Sequence, residues 1–160
     1  LSHDIVPFDK LGITMTDTAE IFAIKDEAQR AGAIVNAFLV ASMIPDPDAA
    51  AKFIADDVDI HFTGNTPMKH PREMTAYNKA RYNWVKKDIE RCDVAPGDGE
   101  TIVYSIGTLY GEWLNGDKFE GNRYVDRFVV IEDKIVKIDV WNDSAERMIK
   151  RAAGQPETSV

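Results

Sequence analysis

The sequence predicts an α+β fold: a strongly curved, mixed or antiparallel sheet with helices packed on its concave face. Three observations predict it. Segments of helical period dominate the first half, strand-like segments fill the second, and Gly107 and Gly111 interrupt a long strand where bulges would bend it. Helices in a run and strands in a run differ from the strict alternation of a parallel α/β protein. A sheet curled around helices leaves a closed-ended cavity.

Each element follows from local pattern. Residues 1–16, with Pro7 and Gly12, read as an N-terminal arm, and Ile5, Val6, Phe8 and Leu11 argue that it lies over the body of the protein or a neighbouring subunit. Asp17 and Glu20 make a capping-box-like start, and Ile21, Ile24, Ala28, Ala31, Val35, Phe38 and Leu39 keep helical spacing, with a break near Gly32. The prolines of IPDPD stop this helix. Asp48 is an N-cap for a short helix, DAAAKFIA, which leads into a strand, DVDIHFT, over 57–63. After a loop, Pro71 opens a helix, REMTAYNKARYNWVKK, with Met74, Tyr77, Arg81, Trp84 and Val85 on one side. Strand-like segments then follow: IERCDV, TIVYSIGTLYGEWL after the turn PGDGE, GNRYVDRFVVI and KIVKIDVW. Turns at Asn115-Gly116-Asp117 and Glu132-Asp133 make the last three an antiparallel meander.

Composition narrows the function classes. The 160 residues, 44% hydrophobic and 29% charged, fit one globular domain over 1–160. A net charge of −8 repels nucleic acid and anionic membrane surfaces. Cys92 has no partner for an internal disulfide, no signal-peptide pattern opens the chain, and the apolar run over 31–44 is too short to span a bilayer. A cytoplasmic location is the expectation. There is no Gly-rich phosphate loop, nucleophile elbow or metalloprotease helix motif. His3, His61 and His70 lack ligand spacing, and Asp56, Asp57 and Asp59 lack the calcium-loop pattern, so neither a metal nor another cofactor is expected.

The strand over 121–131 carries the strongest functional signal. Asn122, Tyr124, Asp126, Phe128 and Val130 share one face, which sets an acid and a phenol beside an apolar base. The segments ADDVDIHFTGNTP and GNRYVDRFVVIEDKIVKIDVWND resemble the SnoaL-like branch of the nuclear transport factor two-like superfamily, over about residues 26–146. The resemblance implies a cone-shaped α+β fold that is commonly dimeric. Its members include polyketide cyclases, ketosteroid isomerase, scytalone dehydratase, epoxide hydrolases, lyases of lignin-derived aromatics and proteins that only bind. The polar cavity positions of the cyclases fall here on His61, Tyr124, Asp126 and Val140. A valine at the last of these removes the cyclase acid, so the resemblance does not carry the aldol cyclisation over.

The resemblance therefore assigns His61 as general base or acid, Asp126 as its orienting carboxylate and Tyr124 as proton donor or oxyanion stabiliser. The alternative for Asp126 is a structural pair with Arg123, Arg127 or Arg81. Tyr77, Arg81 and Trp84 form a candidate substrate wall, the alternative being core packing with Arg81 reaching solvent; Tyr104 or Tyr110, which share a strand parity, is placed at the mouth, and Asn142 is an orienting group. The expected function is a cofactor-independent lyase or isomerase acting on a small hydroxylated aromatic or polycyclic compound, by dehydration or loss of a one-carbon fragment such as formaldehyde. The alternative is a non-catalytic binding or dimerisation module. The expected partners are a small aromatic molecule and a second copy of the chain, paired through the sheet face that carries Val125, Val129, Trp141, Arg123, Arg127 and Asp139.

Overall fold

A computed structural model describes residues 6–7, 18–23 and 25–155. Strands β1 (Val6–Pro7), β2 (Ile54–Phe62), β3 (Thr66–Met68), β4 (Tyr82–Pro96), β5 (Thr101–Trp113), β6 (Lys118–Ile131) and β7 (Lys134–Asn142) form one sheet in the order β1-β4-β5-β6-β7-β2-β3. All neighbours are antiparallel except β2 and β7, which run parallel, so the sheet is mixed. Five helices accompany it: α1 (Thr18–Ala23), α2 (Glu27–Met43), α3 (Pro47–Ala51), α4 (Pro71–Lys79) and α5 (Ser144–Ala152). The α+β class and the meander read from the sequence are as expected.

Curvature has identifiable causes. Register shifts fall between Ile89 and Arg91 of β4 and between Leu109 and Gly111 of β5. At Gly107 an added Cβ would lie 2.1 Å from the Asp88 carbonyl oxygen, and at Gly111 2.3 Å from that of Trp84. Only glycine lets β4 and β5 approach so closely. The two-residue turn Glu132-Asp133 has both φ values positive, as a tight hairpin turn of this hand requires. Arg30 Nε donates to Asp133 Oδ1 at 2.6 Å and ties that turn to α2.

On the concave side, α2 buries Ile34, Val35, Phe38 and Leu39 against the sheet at β4, β5 and β7, and Phe38 meets Phe128 of β6 edge-on at 5.8 Å between centroids. A second apolar cluster holds Tyr82, Leu109, Trp113, Phe119 and Tyr124. Between the two clusters the core is left unfilled.

Several boundaries depart from expectation. The long first helix is two helices, broken at Lys25–Asp26 rather than near Gly32, because the Asp26 side chain accepts from Gln29 N at 2.8 Å and starts a new helix. The N-cap of α3 is Asp46, not Asp48. Helix α4 ends at Lys79, and Tyr82, Trp84 and Val85 belong to β4, where β-forming residues pair with β5. Helix α5 was not expected. Of the arm, Val6 and Pro7 pair with Val94 and Asp93, and the rest of it lies outside the described residues, as does the capping-box residue Asp17. No described helix is long and apolar enough to cross a membrane.

Candidate active site

Strand alternation decides which side chains reach the unfilled space. Val58, Ile60 and Phe62 of β2 are buried in the core, so Asp59 and His61 lie on the opposite, convex face. On β6, Tyr124, Asp126 and Phe128 turn inward, with Ser105 of β5 and Val140 of β7 as the cross-strand neighbours of Asp126. On β4 the inward set includes Lys87, opposite Leu109.

The cavity they enclose has a volume of about 90 Å³. Its walls come from α2 (Phe38, Leu39), α4 (Met74, Asn78), Arg81, and the sheet residues Lys87, Leu109, Asp126, Phe128, Ile138, Val140 and Asn142. The chemistry concentrates on one strip. Asp126 is 3% exposed; its Oδ2 accepts from Lys87 Nζ, and its Oδ1 is buried with no hydrogen-bond partner. Lys87 Nζ also lies 3.7 Å from the centroid of the Tyr124 ring. The Tyr124 hydroxyl and Ser105 Oγ are 2.9 Å apart and hydrogen-bonded.

Burial raises the Asp126 carboxyl above the usual carboxylate range, and the Lys87 ammonium opposes that rise. Burial likewise raises the Tyr124 phenol, while its bond to Ser105 works in the other direction. Cys92 is buried nearby on β4, and loss of solvation pushes its thiol up to about 11. A buried carboxylate with one oxygen on a cation and the other unpartnered can accept a hydrogen bond from a bound molecule, or take its proton.

The predicted site residues therefore separate. Asp126, Arg81 and Asn142 line the cavity. Tyr124 is on the inner face as expected, but it does not line the cavity; its hydroxyl is held by Ser105 and its ring supports Lys87. His61 is not beside Asp126. Its Nε2 lies 3.3 Å from Asp59 Oδ1 and its Nδ1 4.0 Å from Asp139 Oδ1, in a convex-face cluster where Lys137 bridges to Asp59 and Arg127 to Asp139. Tyr104 is also convex, opposite Arg127 and Asp93. Tyr77 packs edge-on against Phe62 at 5.0 Å and carries the Arg81 guanidinium 4.5 Å above its ring, behind the cavity wall. Trp84 lies on β4, 41% exposed, in a groove outside the cavity. Val140 is at the wall as the resemblance placed it.

Lys87 and Ser105 escaped the sequence reading. Extending α4 to Lys87 hid its strand parity with Val85 and Ile89, which would have pointed it inward. Ser105 shares parity with Val103 and Gly107 and could have been found by pairing β5 against β6. Among the described residues no group of three or more His, Cys, Asp or Glu side chains is placed to hold a metal.

No family model matches the chain, and no curated protein does. Solved structures share its fold. An NTF2-like protein of unknown function from Burkholderia pseudomallei aligns with a TM-score of 0.60 at 14% identity, over 74% of this chain and 95% of its own. A candidate SnoaL-like polyketide cyclase from Jannaschia sp. gives 0.61 at 12% identity, over 83% and 99%. TerC, co-crystallised with polyporic acid, gives 0.59 at 10% identity, over 74% and 95%. The chain has the NTF2-like fold, and SnoaL-like proteins are among its structural neighbours.

Proposed function

We propose that the protein is a cofactor-independent lyase or isomerase that uses Asp126 as its general base on a small hydroxylated aromatic or polycyclic substrate. The observation that carries this reading is the buried Asp126 carboxylate in the cavity wall, with Oδ2 on Lys87 and Oδ1 buried without a hydrogen-bond partner. A carboxylate whose affinity for a proton is raised by burial is a stronger base than one in water, and the Lys87 ammonium opposes that rise. In this reading Oδ1 accepts a proton from a substrate hydroxyl or from a carbon beside a carbonyl. The Lys87 ammonium lies close enough to stabilise the oxyanion that forms. The phenolate pushes its electrons through the ring to the benzylic carbon, whose C–O bond breaks, and the proton held by Asp126 passes to the departing hydroxide, so water leaves and a quinone methide remains. Formaldehyde leaves instead where a neighbouring hydroxymethyl gives its hydroxyl proton to Asp126 and the C–C bonding pair returns to the quinone methide, restoring the ring. Tyr124 positions Lys87 and transfers no proton itself. The apolar walls at Phe38, Phe128, Ile138 and Val140 suit a ring, and a structural neighbour co-crystallised with polyporic acid is in keeping with an organic ligand.

Deuterium exchange tests the base directly. Hydroxylated aromatic carbonyl compounds incubated with the protein in heavy water should exchange a carbon-bound proton, or lose water or formaldehyde, as followed by proton NMR. Asp126→Asn should slow this by about a hundredfold or more. Binding without exchange across the panel would support the binding-module reading instead.

We further propose a homodimer through the convex face, where Trp141, Tyr110 and Val125 are exposed. Val129 contributes nothing to it, being only 5% exposed within the chain, and Arg127 and Asp139 already pair with each other.

A further inference from the structure

The cavity is small for the molecule it is read to hold. Its 90 Å³ continues into an outer groove of about 290 Å³, the two sharing Ser42, Met43, Thr75, Asn78, Tyr82 and Val85. Pockets that enclose drug-sized ligands run to about 300–1,000 Å³, so a ligand of more than one ring must extend from the cavity across the groove. The groove is built to receive such an extension. Met43, Ile44, Pro45 and Trp84 line it, and Ile44 and Trp84 are 69% and 41% exposed.

Charge along this path is one-sided. Arg81, Lys86 and Lys87 line the cavity and Lys79 and Lys86 the groove, whereas among the described residues Asp126 is the one acid lining either. Lys87 is committed to Asp126. Arg81 stacks on Tyr77 and donates to Thr63, and neither it, Lys79 nor Lys86 forms an ion pair with a described carboxylate. Asn83, also in the groove, holds the Glu112 carboxylate at 2.7 Å. In a chain of net charge −8, a gathering of four cations around one opening runs against the overall sign. Such a cleft concentrates field lines and draws in ligands of opposite charge.

We infer that the ligand is an anion in two parts: a hydroxyl-bearing head that donates to Asp126 Oδ1, and an aromatic or apolar remainder that crosses Trp84 and carries its negative group to the mouth near Lys79 and Lys86. This rests on reading the cavity as the substrate site and specifies the substrate class for it. The Asp126 carboxylate in the cavity wall, with a buried oxygen that has no partner, calls for a donor at the deep end, the groove calls for apolar length, and the cations without a described carboxylate call for a carboxylate, sulfonate or phenolate outside.

Two fluorescent probes with one skeleton isolate the charge. 1-Anilinonaphthalene-8-sulfonate is anionic, and N-phenyl-1-naphthylamine is the same ring system without the sulfonate. Titrated against the wild-type protein at low salt, the anion should bind about tenfold tighter than the neutral probe, and the advantage should shrink in about 0.5 M sodium chloride as charges are screened. The double variant Lys79→Met, Lys86→Met should erase most of that advantage and leave the neutral probe's affinity unchanged. Trp84→Ala should weaken both probes. Equal affinities in the wild type, or a preference that survives the double lysine variant, would overturn the inference. Because binding is read without turnover, exchange activity with no charge preference leaves the proposed base standing, and charge preference with no exchange activity leaves the anion site standing.

Discussion

At the residue scale, the account turns on Asp126 and Lys87. Asp126 was legible in the sequence because strand alternation put it with Tyr124 and Phe128 on an otherwise apolar face. The resemblance sets His61 beside Asp126, whereas the alternation of Val58, Ile60 and Phe62 turns His61 to the outer face. Lys87→Met isolates the pair. It leaves a buried carboxylate without its counter-charge, so the variant should lose roughly 3–5 kcal/mol at neutral pH by urea denaturation. The sign of the pH dependence follows from the raised Asp126 pKa. Between the ordinary carboxylate value and the raised one, the unfolded chain has released a proton that the folded chain keeps, so stability falls as pH rises through that window. Removing Lys87 raises the folded value further and widens the window upward. The deficit of Lys87→Met should therefore narrow as pH falls and Asp126 takes up its proton. The acid limb of the pH–rate profile should also move to higher pH. A deficit independent of pH would show that Asp126 is not the group left uncompensated.

At the element scale, the strands and the meander were readable from β-branched and aromatic runs between Gly and Asp turns, and the bulges from glycines inside a strand pattern. Helix boundaries were not. Lys, Ala and Arg after Pro71 favour a helix locally, yet residues 82–96 are paired along β5, and that pairing overrides propensity. Helix α5 was missed because its periodic pattern is short; Arg147 bonds the Gly121 carbonyl at 3.1 Å and Arg151 pairs with Asp117, contacts invisible in sequence. The close approach of β4 and β5 gives a sharp expectation. Gly107→Ala drives a methyl into the Asp88 carbonyl, which is backbone and cannot rotate away. It should cost about 1–3 kcal/mol, as overpacking does, and lower the midpoint of a urea titration, whereas Gly99→Ala, with nothing within 4 Å but a positive φ of 76°, should cost less. Equal losses at the two sites would mean that the β4–β5 approach is not tight.

At the scale of the whole molecule, a bent sheet closes over α2 and sets a deep polar strip, Lys87, Asp126, Tyr124 and Ser105, beside apolar walls. The outer face of the same sheet carries exposed Trp141, Tyr110 and Val125 beside the Asp59, His61, Lys137, Asp139 and Arg127 cluster. Sedimentation should find a dimer at micromolar concentration, and Trp141→Glu should shift it to monomer without unfolding it; a wild-type monomer would remove the convex face as a self-interface. The fold class could be read from element order, whereas the site depended on which strand face met which, knowledge that only the register supplies. The most direct test of the central claim compares two variants in one exchange or turnover assay on the same aromatic substrate. Asp126→Asn should lose about a hundredfold or more, and His61→Gln should stay within about twofold of wild type, since His61 lies on the far side of the sheet. A large loss in His61→Gln with a nearly intact Asp126→Asn would contradict the account.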